Sequence, residues 1–175
     1  MSVYWVDIIK EIVNEVVADT GKPTGINADA PYYIHGHPID IMNQLTQRSR
    51  GAMKFKKWPV ICLLQDFDEE NGQDMTIDSE VNLNIVICMN TKSDYIGSQR
   101  YDATFRPTLQ PLYELFIEKI AEYNSFIGIG KGLVPHIKTD RLYWGNEGNT
   151  ANKFSEYIDA IEISDLNLKY KYKKC

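Results

Sequence analysis

The sequence is poor in the residues that most often carry chemistry. Among its 175 residues stand only three histidines, His35, His37 and His136, and three cysteines, Cys62, Cys88 and Cys175. The cysteines are odd in number and show no CxxC spacing. That argues against a disulfide framework and fits a reducing compartment, with Cys62 and Cys88 as small apolar core residues. Excess positive charge is also missing. Nineteen Lys and Arg face 24 Asp and Glu, a formal net charge of −5, whereas a protein that grips nucleic acid carries a basic surface. No apolar run approaches the roughly 20 residues of a membrane helix. The opening "MSVYWVDIIKEIVNEVV" is interrupted by Asp7, Lys10, Glu11, Asn14 and Glu15, so neither a signal peptide nor a membrane partner is expected, and synthesis is expected in a cytoplasm.

Catalytic signatures are scarce as well. There is no GxSxG and no HExxH, and nothing pairs a nucleophile with its base. "GIGKG", Gly128 to Gly132, lacks the GxxxxGK[ST] spacing and follows a predicted helix, so it reads as a turn. "DFDEENGQD" alternates Asp66, Asp68 and Glu70 as calcium ligands do. Its glycine comes seventh instead of sixth, and the twelfth position is Ile77 rather than glutamate. The expectation is a non-enzyme with no cofactor and no metal.

What is present is ordinary globular material, 43% hydrophobic, 11% aromatic and 25% charged, enough for one domain with a proper core. Trp5, Ile9, Ile12, Val13, Val16 and Val17 recur at helical spacing, which predicts a helix over Val3 to Asp19. Strands are predicted at Tyr32 to Leu45, Trp58 to Phe67 and Ser79 to Met89, with a hairpin signal at Asn71-Gly72 between the last two. A long loop is expected from Asn90 to Phe105. A helix follows, regular from Pro111 because Pro107 and Pro111 fit only near a start. Strands return at Leu133 to Trp144 and in the closing "YIDAIEISDLNLKYKYKK", whose alternation slips at Ser164-Asp165, the mark of a β-bulge or a bend. The order predicts an α+β fold: a mostly antiparallel sheet with two main helices packed on one face. A single domain, 1–175, is expected, with a helix–strands–helix core over 1–126 and a β extension over 127–175.

Three constellations compete for function. His35 and His37 share a face if both lie on a strand, with Asp40 nearby, and a metal-dependent enzyme using these three residues is the alternative reading. Asp40 has the wrong parity and Pro38 bends the path, so architecture is favoured over chemistry. Second, residues 48 to 57 carry Arg48, Arg50, Lys54, Lys56 and Lys57 and no acid, while residues 66 to 80 carry seven acids, Asp66, Asp68, Glu69 and Glu70 among them, and no base. These blocks lie at opposite ends of the second predicted strand, where a basic end of one subunit can meet an acidic end of the next. Third, the predicted loop carries Tyr95, Arg100, Tyr101 and Phe105, residue types enriched at interface centres.

The sequence "VDIIKEIVNEVV", the stretch "PYYIHGHPIDI", the pair "KWPVICLLQDF" and "SEVNLNIVICM", a long loop and then "LYELFIEKIAEY" follow one another in an order that resembles the small tail-completion (tail-terminator) and neck proteins of tailed bacteriophages. The likeness covers Val3 to Tyr123. It rests on shape and order, so no signature residue carries over. The remainder, with "DRLYWGNEGN", resembles the ends of proteins from phages infecting gut Bacteroidetes. The resemblance implies a virion structural protein made in the host bacterial cytoplasm, a homo-oligomeric ring at the head–tail junction, and neighbours among portal, neck or tail proteins. DNA passes through such a ring without specific binding, which fits an acidic chain. A soluble adaptor that binds a host protein through the long loop is a further alternative.

Overall fold

The computed structural model describes residues 3–20, 30–49, 58–74, 77–130, 133–142, 144 and 157–171. Helix α1, Trp5–Asp19, buries Trp5, Ile8, Ile9, Ile12, Val13 and Val16, the single stripe that the spacing predicts. Thr20 closes it. Its hydroxyl donates to the Val17 carbonyl at 2.7 Å and its N–H to the Val16 carbonyl at 3.0 Å. The glycine and proline expected to stop this helix, Gly21 and Pro23, lie outside the described residues.

The stretch predicted as one strand, Tyr32 to Leu45, divides in two. Strand β1 is Tyr32–Gly36 and helix α2 is Pro38–Ser49. The reason is local. Gly36 has φ 144°, a conformation glycine adopts without strain. His37 precedes a proline and is held extended. Pro38 then takes the first helical position, where its missing N–H costs nothing, and Asp40 places a negative charge in the first turn.

Strand β2, Val60–Leu64, runs parallel to β1 from Tyr32↔Val60 to Gly36↔Leu64. With α2 as the crossover this is a βαβ unit. The rest of the sheet is antiparallel. Strand β4, Ile77–Thr91, pairs with β2, with β3 (Glu69–Asp74) and with β6 (Tyr157–Tyr170), and β5 (Ile137–Arg141) pairs with β6. The order is β1-β2-β4-β6-β5, with β3 on the hairpin end of β4. The β3–β4 hairpin exists, and its pairing runs on past the expected turn to Asp74↔Ile77. Asn71 and Gly72, the expected turn, sit where the register shifts, with Gly72 at φ 68°.

The second correction concerns residues 90 to 105. The chain becomes helical at α3, Gly97–Arg100, passes through a π-helical segment, Tyr101–Leu109, and continues as α4, Gln110–Glu122. The hydrogen bond from Gln110 N–H reaches back five residues to Phe105 O. Two prolines account for the wider turn. In an α-helix the rings of Pro107 and Pro111 would press on the carbonyls four residues back. Buried positions within this segment stand four residues apart, at Thr104 and Thr108 and at Phe105 and Leu109.

The α+β architecture is therefore as predicted, with α1 and the π–α4 helix on one face. Between them and the sheet lie Ile61, Leu63, Ile85, Ile87, Ile161 and Ile163. The opposite face is covered by α2, whose Ile41 and Leu45 pack with Val60, Cys62, Val86 and Cys88. Cys62 and Cys88 are both buried. Strand β6 lies inside the sheet, so the core continues past residue 126. Its phase slip is real: Asp165 has φ 53°, and the register with β4 shifts between Leu83 and Ile85. The bulge returns Leu166 and Leu168 to the face already occupied by Ile161 and Ile163, and all four are buried.

Candidate assembly interface

The pairing register defines two poles. Strand β2 starts at Val60 opposite Cys88 and ends at Leu64 opposite Asn84, and β4 continues past it to the hairpin at Ile77. At roughly 3.3 Å per residue, the 15 residues of β4 span about 50 Å. The acidic residues follow the end of β2: Glu70 faces Glu80, eight residues along β4 from the Cys88 that faces Val60, or about 26 Å. Asp66, Asp68 and Glu70 are exposed, as is Asp78. Glu69 is half-buried and structural. It accepts a 2.6 Å hydrogen bond from the Ser79 hydroxyl, which in turn accepts Trp5 Nε1–H at 3.0 Å. That relay pins the hairpin to the start of α1. Trp5 is held further by stacking on Phe126 at 6.0 Å.

At the base of the hairpin, Glu80 is held below the usual carboxylate range. The hydrogen bond from Asn167 Nδ2 at 2.9 Å contributes most, and Lys169 at 3.3 Å adds to it. The basic residues Arg50, Lys54, Lys56 and Lys57 lie outside the described residues, as does the side chain of Arg48. As the crossover of a parallel pair, α2 begins beside the end of β2 and returns to the pole where β2 starts.

The residues predicted to form a contact loop do not stay together. Tyr101 is 57% exposed and its neighbour Ile96 is 65% exposed, whereas Phe105 is in the core. Tyr95 is half-buried, with Lys92 Nζ 5.1 Å above its ring. Arg100 is not at the surface at all. It is 1% exposed and ion-paired with Asp159, which is fully buried. Its Nη1 donates to Asp159 Oδ1, its Nε to Tyr95 O at 3.0 Å and its Nη2 to Lys92 O at 3.1 Å. The Thr104 hydroxyl, with one proton, sits between Arg100 O at 2.7 Å and Asp159 Oδ2 at 3.0 Å. Both charges are thus paired and bonded, the condition under which burial of an ion pair is tolerated. The arrangement fastens the start of the long helix to the middle of the sheet. Sequence reasoning missed Asp159 and Thr104, because nothing near residue 100 announces a partner on β6.

The histidine pair is separated by role. His35 is exposed on β1, its Nδ1 2.8 Å from Gln65 Oε1 and its ring 5.8 Å from that of Tyr33. His37 caps α2. Its Nδ1 accepts Ile39 N–H at 3.3 Å and its carbonyl accepts Ile41 N–H at 3.0 Å. Asp40 is in the first turn of that helix. Among the described residues no three His, Cys, Asp or Glu side chains gather as a metal site. His136 lies elsewhere. It accepts from or donates to the Tyr113 hydroxyl at 2.8 Å, and its Nδ1–H donates to Val134 O at 2.8 Å. Since Nδ1 carries a proton, neutral His136 receives the tyrosine hydroxyl at Nε2. Burial raises the Tyr113 pKa, with Glu114 and Asp140 adding to it, so this phenol is held as the neutral donor.

The helices tie to one another through charge as well. Lys119 Nζ meets Asp19 at 2.7 Å, and Tyr123 donates to Glu11 at 3.0 Å. Among the described residues no helix is long and apolar enough to cross a membrane. No protein-family model matches the chain, and no curated protein matches it significantly.

Proposed function

We propose that this chain is a structural subunit that assembles head to tail into a ring, and that the ring stands at the head–tail junction of a tailed-phage virion. One observation carries the reading: the acidic stretch and the start of β2 lie at opposite ends of β2. Exposed Asp66 and Asp68 follow the far end of β2 from its start at Val60, and on a neighbour they can meet the end where β2 begins. A heterologous contact of that kind closes into a ring when the rotation allows. The resemblance in element order supplies the location and the neighbours, namely portal, neck or tail proteins, with DNA passing unbound.

Two measurements test this. Mass spectrometry of purified particles should find the chain as a virion component. Reversing Lys54, Lys56 and Lys57 to Glu should weaken self-assembly, and adding Asp66→Lys, Asp68→Lys and Glu70→Lys should restore part of it. Glu69 is left alone because Ser79 depends on it. Undiminished assembly of the first variant at low salt rejects the head-to-tail pairing.

A further inference from the structure

We propose that the chain also pairs with a second copy of itself through the outer edge of β5, antiparallel and centred on Thr139. Strand β5 is last in the sheet order, and among the described residues it pairs only with β6. An edge strand offers a row of backbone donors and acceptors to any extended segment. Side chains along it are exposed: Ile137 is 54% exposed, Leu142 is 44% exposed, and the Asp140 side chain is 52% exposed.

The side chains select the occupant. The strand reads Ile137-Lys138-Thr139-Asp140-Arg141. Set against its own reverse about Thr139, it places Lys138 opposite Asp140 of the second copy and Asp140 opposite Lys138 of the second copy. Opposite charges directly across an antiparallel pair stabilise it, and like charges destabilise it. Within one chain Lys138 Nζ already holds Asp140 Oδ1 at 2.7 Å. Pairing therefore builds a square of four alternating charges and leaves none unmatched. Thr139 meets Thr139 on the other face. Arg141 stays on Glu162, its Nε donating at 2.8 Å, and faces Ile137 of the second copy.

This contact is isologous and closes at two copies, unlike the polar head-to-tail contact. It lies on the side of the sheet, so both can form at once. The particle then contains an even number of chains.

The test uses the full chain with Lys138→Asp and Asp140→Lys, singly, together and mixed, read by native mass spectrometry and sedimentation. Either single variant alone should lose the β5 contact, with self-association about tenfold weaker or more. An equimolar mixture of the two single variants should recover it as particles holding one of each. The double variant, whose charges are exchanged but still complementary, should pair like the natural chain. Rescue by mixing also shows that the single variants are folded. Wild-type protein that remains a single chain at about 100 μM overturns the proposal. So does Lys138→Asp self-associating as wild type does, which a β1-to-β5 contact would give, and so does a mixture that fails to recover.

Discussion

Charge meets two different fates in this molecule. Past the end of β2, Asp66, Asp68 and Glu70 remain at the surface. Where β4 ends, Arg100 is 1% exposed and its guanidinium is spent on Asp159, Tyr95 O and Lys92 O. What separates the two is the supply of partners. The guanidinium finds a buried carboxylate and two carbonyls within hydrogen-bond reach, so a buried ion is supportable. Asp66 and Asp68 lie in a stretch of sequence with no base in it and stay exposed. Charges of the first kind hold the fold, and exposed acids of the second kind are the ones on which the proposed assembly rests.

The comparison breaks most visibly at the buried pair. Asp159→Ala strands a guanidinium in the core and should cost about 3–5 kcal/mol, seen as a large loss of urea midpoint with an unchanged slope. Replacing both partners by apolar residues, Arg100→Met with Asp159→Leu, should recover most of that loss, because the penalty is the uncompensated charge. If the double variant is as unstable as the single, the pair contributes more than it costs. Ser79→Ala comes next. It leaves the Trp5 indole N–H and one Glu69 oxygen without their partner and should cost about 1–3 kcal/mol, read by thermal unfolding.

The histidines give a smaller contrast. His37→Ala removes a helix cap and should cost about 0.5–2 kcal/mol, while His37→Asp, which keeps an acceptor, should cost less. His35→Ala, at an exposed position, should fall within about 0.5 kcal/mol of wild type. Equal losses at the two sites would remove the distinction drawn between them. Asp66→Lys and Asp68→Lys should likewise leave stability nearly unchanged while altering assembly, since their work is directed outward.

The smallest effect is a pH dependence. Glu80 is held below its ordinary value of 4.5, so its contribution is complete above that pH and is lost as pH falls through its lowered value. Lys119 is raised above its ordinary 10.5, chiefly by the hydrogen bond to Asp19, so its contribution is complete below that pH and is lost as pH rises through its raised value. Unfolding measured against pH should be flat between these limits as far as these two groups are concerned, and Glu80→Gln should reduce the acid-side loss.

What the sequence made legible was whatever repeats locally. The apolar stripe of α1, the alternation of β4 and the slip at Ser164-Asp165 all depend on neighbours within a turn or two. The α2 helix was hidden because Tyr32, Tyr33 and Ile34 are good strand residues, and the same proline that ends a strand can begin a helix. The helix through 97–109 was hidden for a different reason. Gly97, Ser98, Thr104 and Pro107 are weak helix formers, and their helicity is secured by Asp159, 59 residues beyond Arg100. The candidate interface was legible as two blocks of charge. The fate of Arg100 was not, because its partner is on a distant strand.

The length of the central strand has a mechanical meaning. Strand β4 runs without a break from the hairpin to Thr91, and from Ser79 onward it is laced to β6. Their hydrogen bonds stand across the strand direction. A pull applied to the hairpin along β4 is therefore met in shear by many backbone bonds at once, rather than peeled one bond after another. Tension that enters at the hairpin is handed along β4 through this paired backbone, and the Glu69–Ser79–Trp5 relay passes part of it to the start of α1.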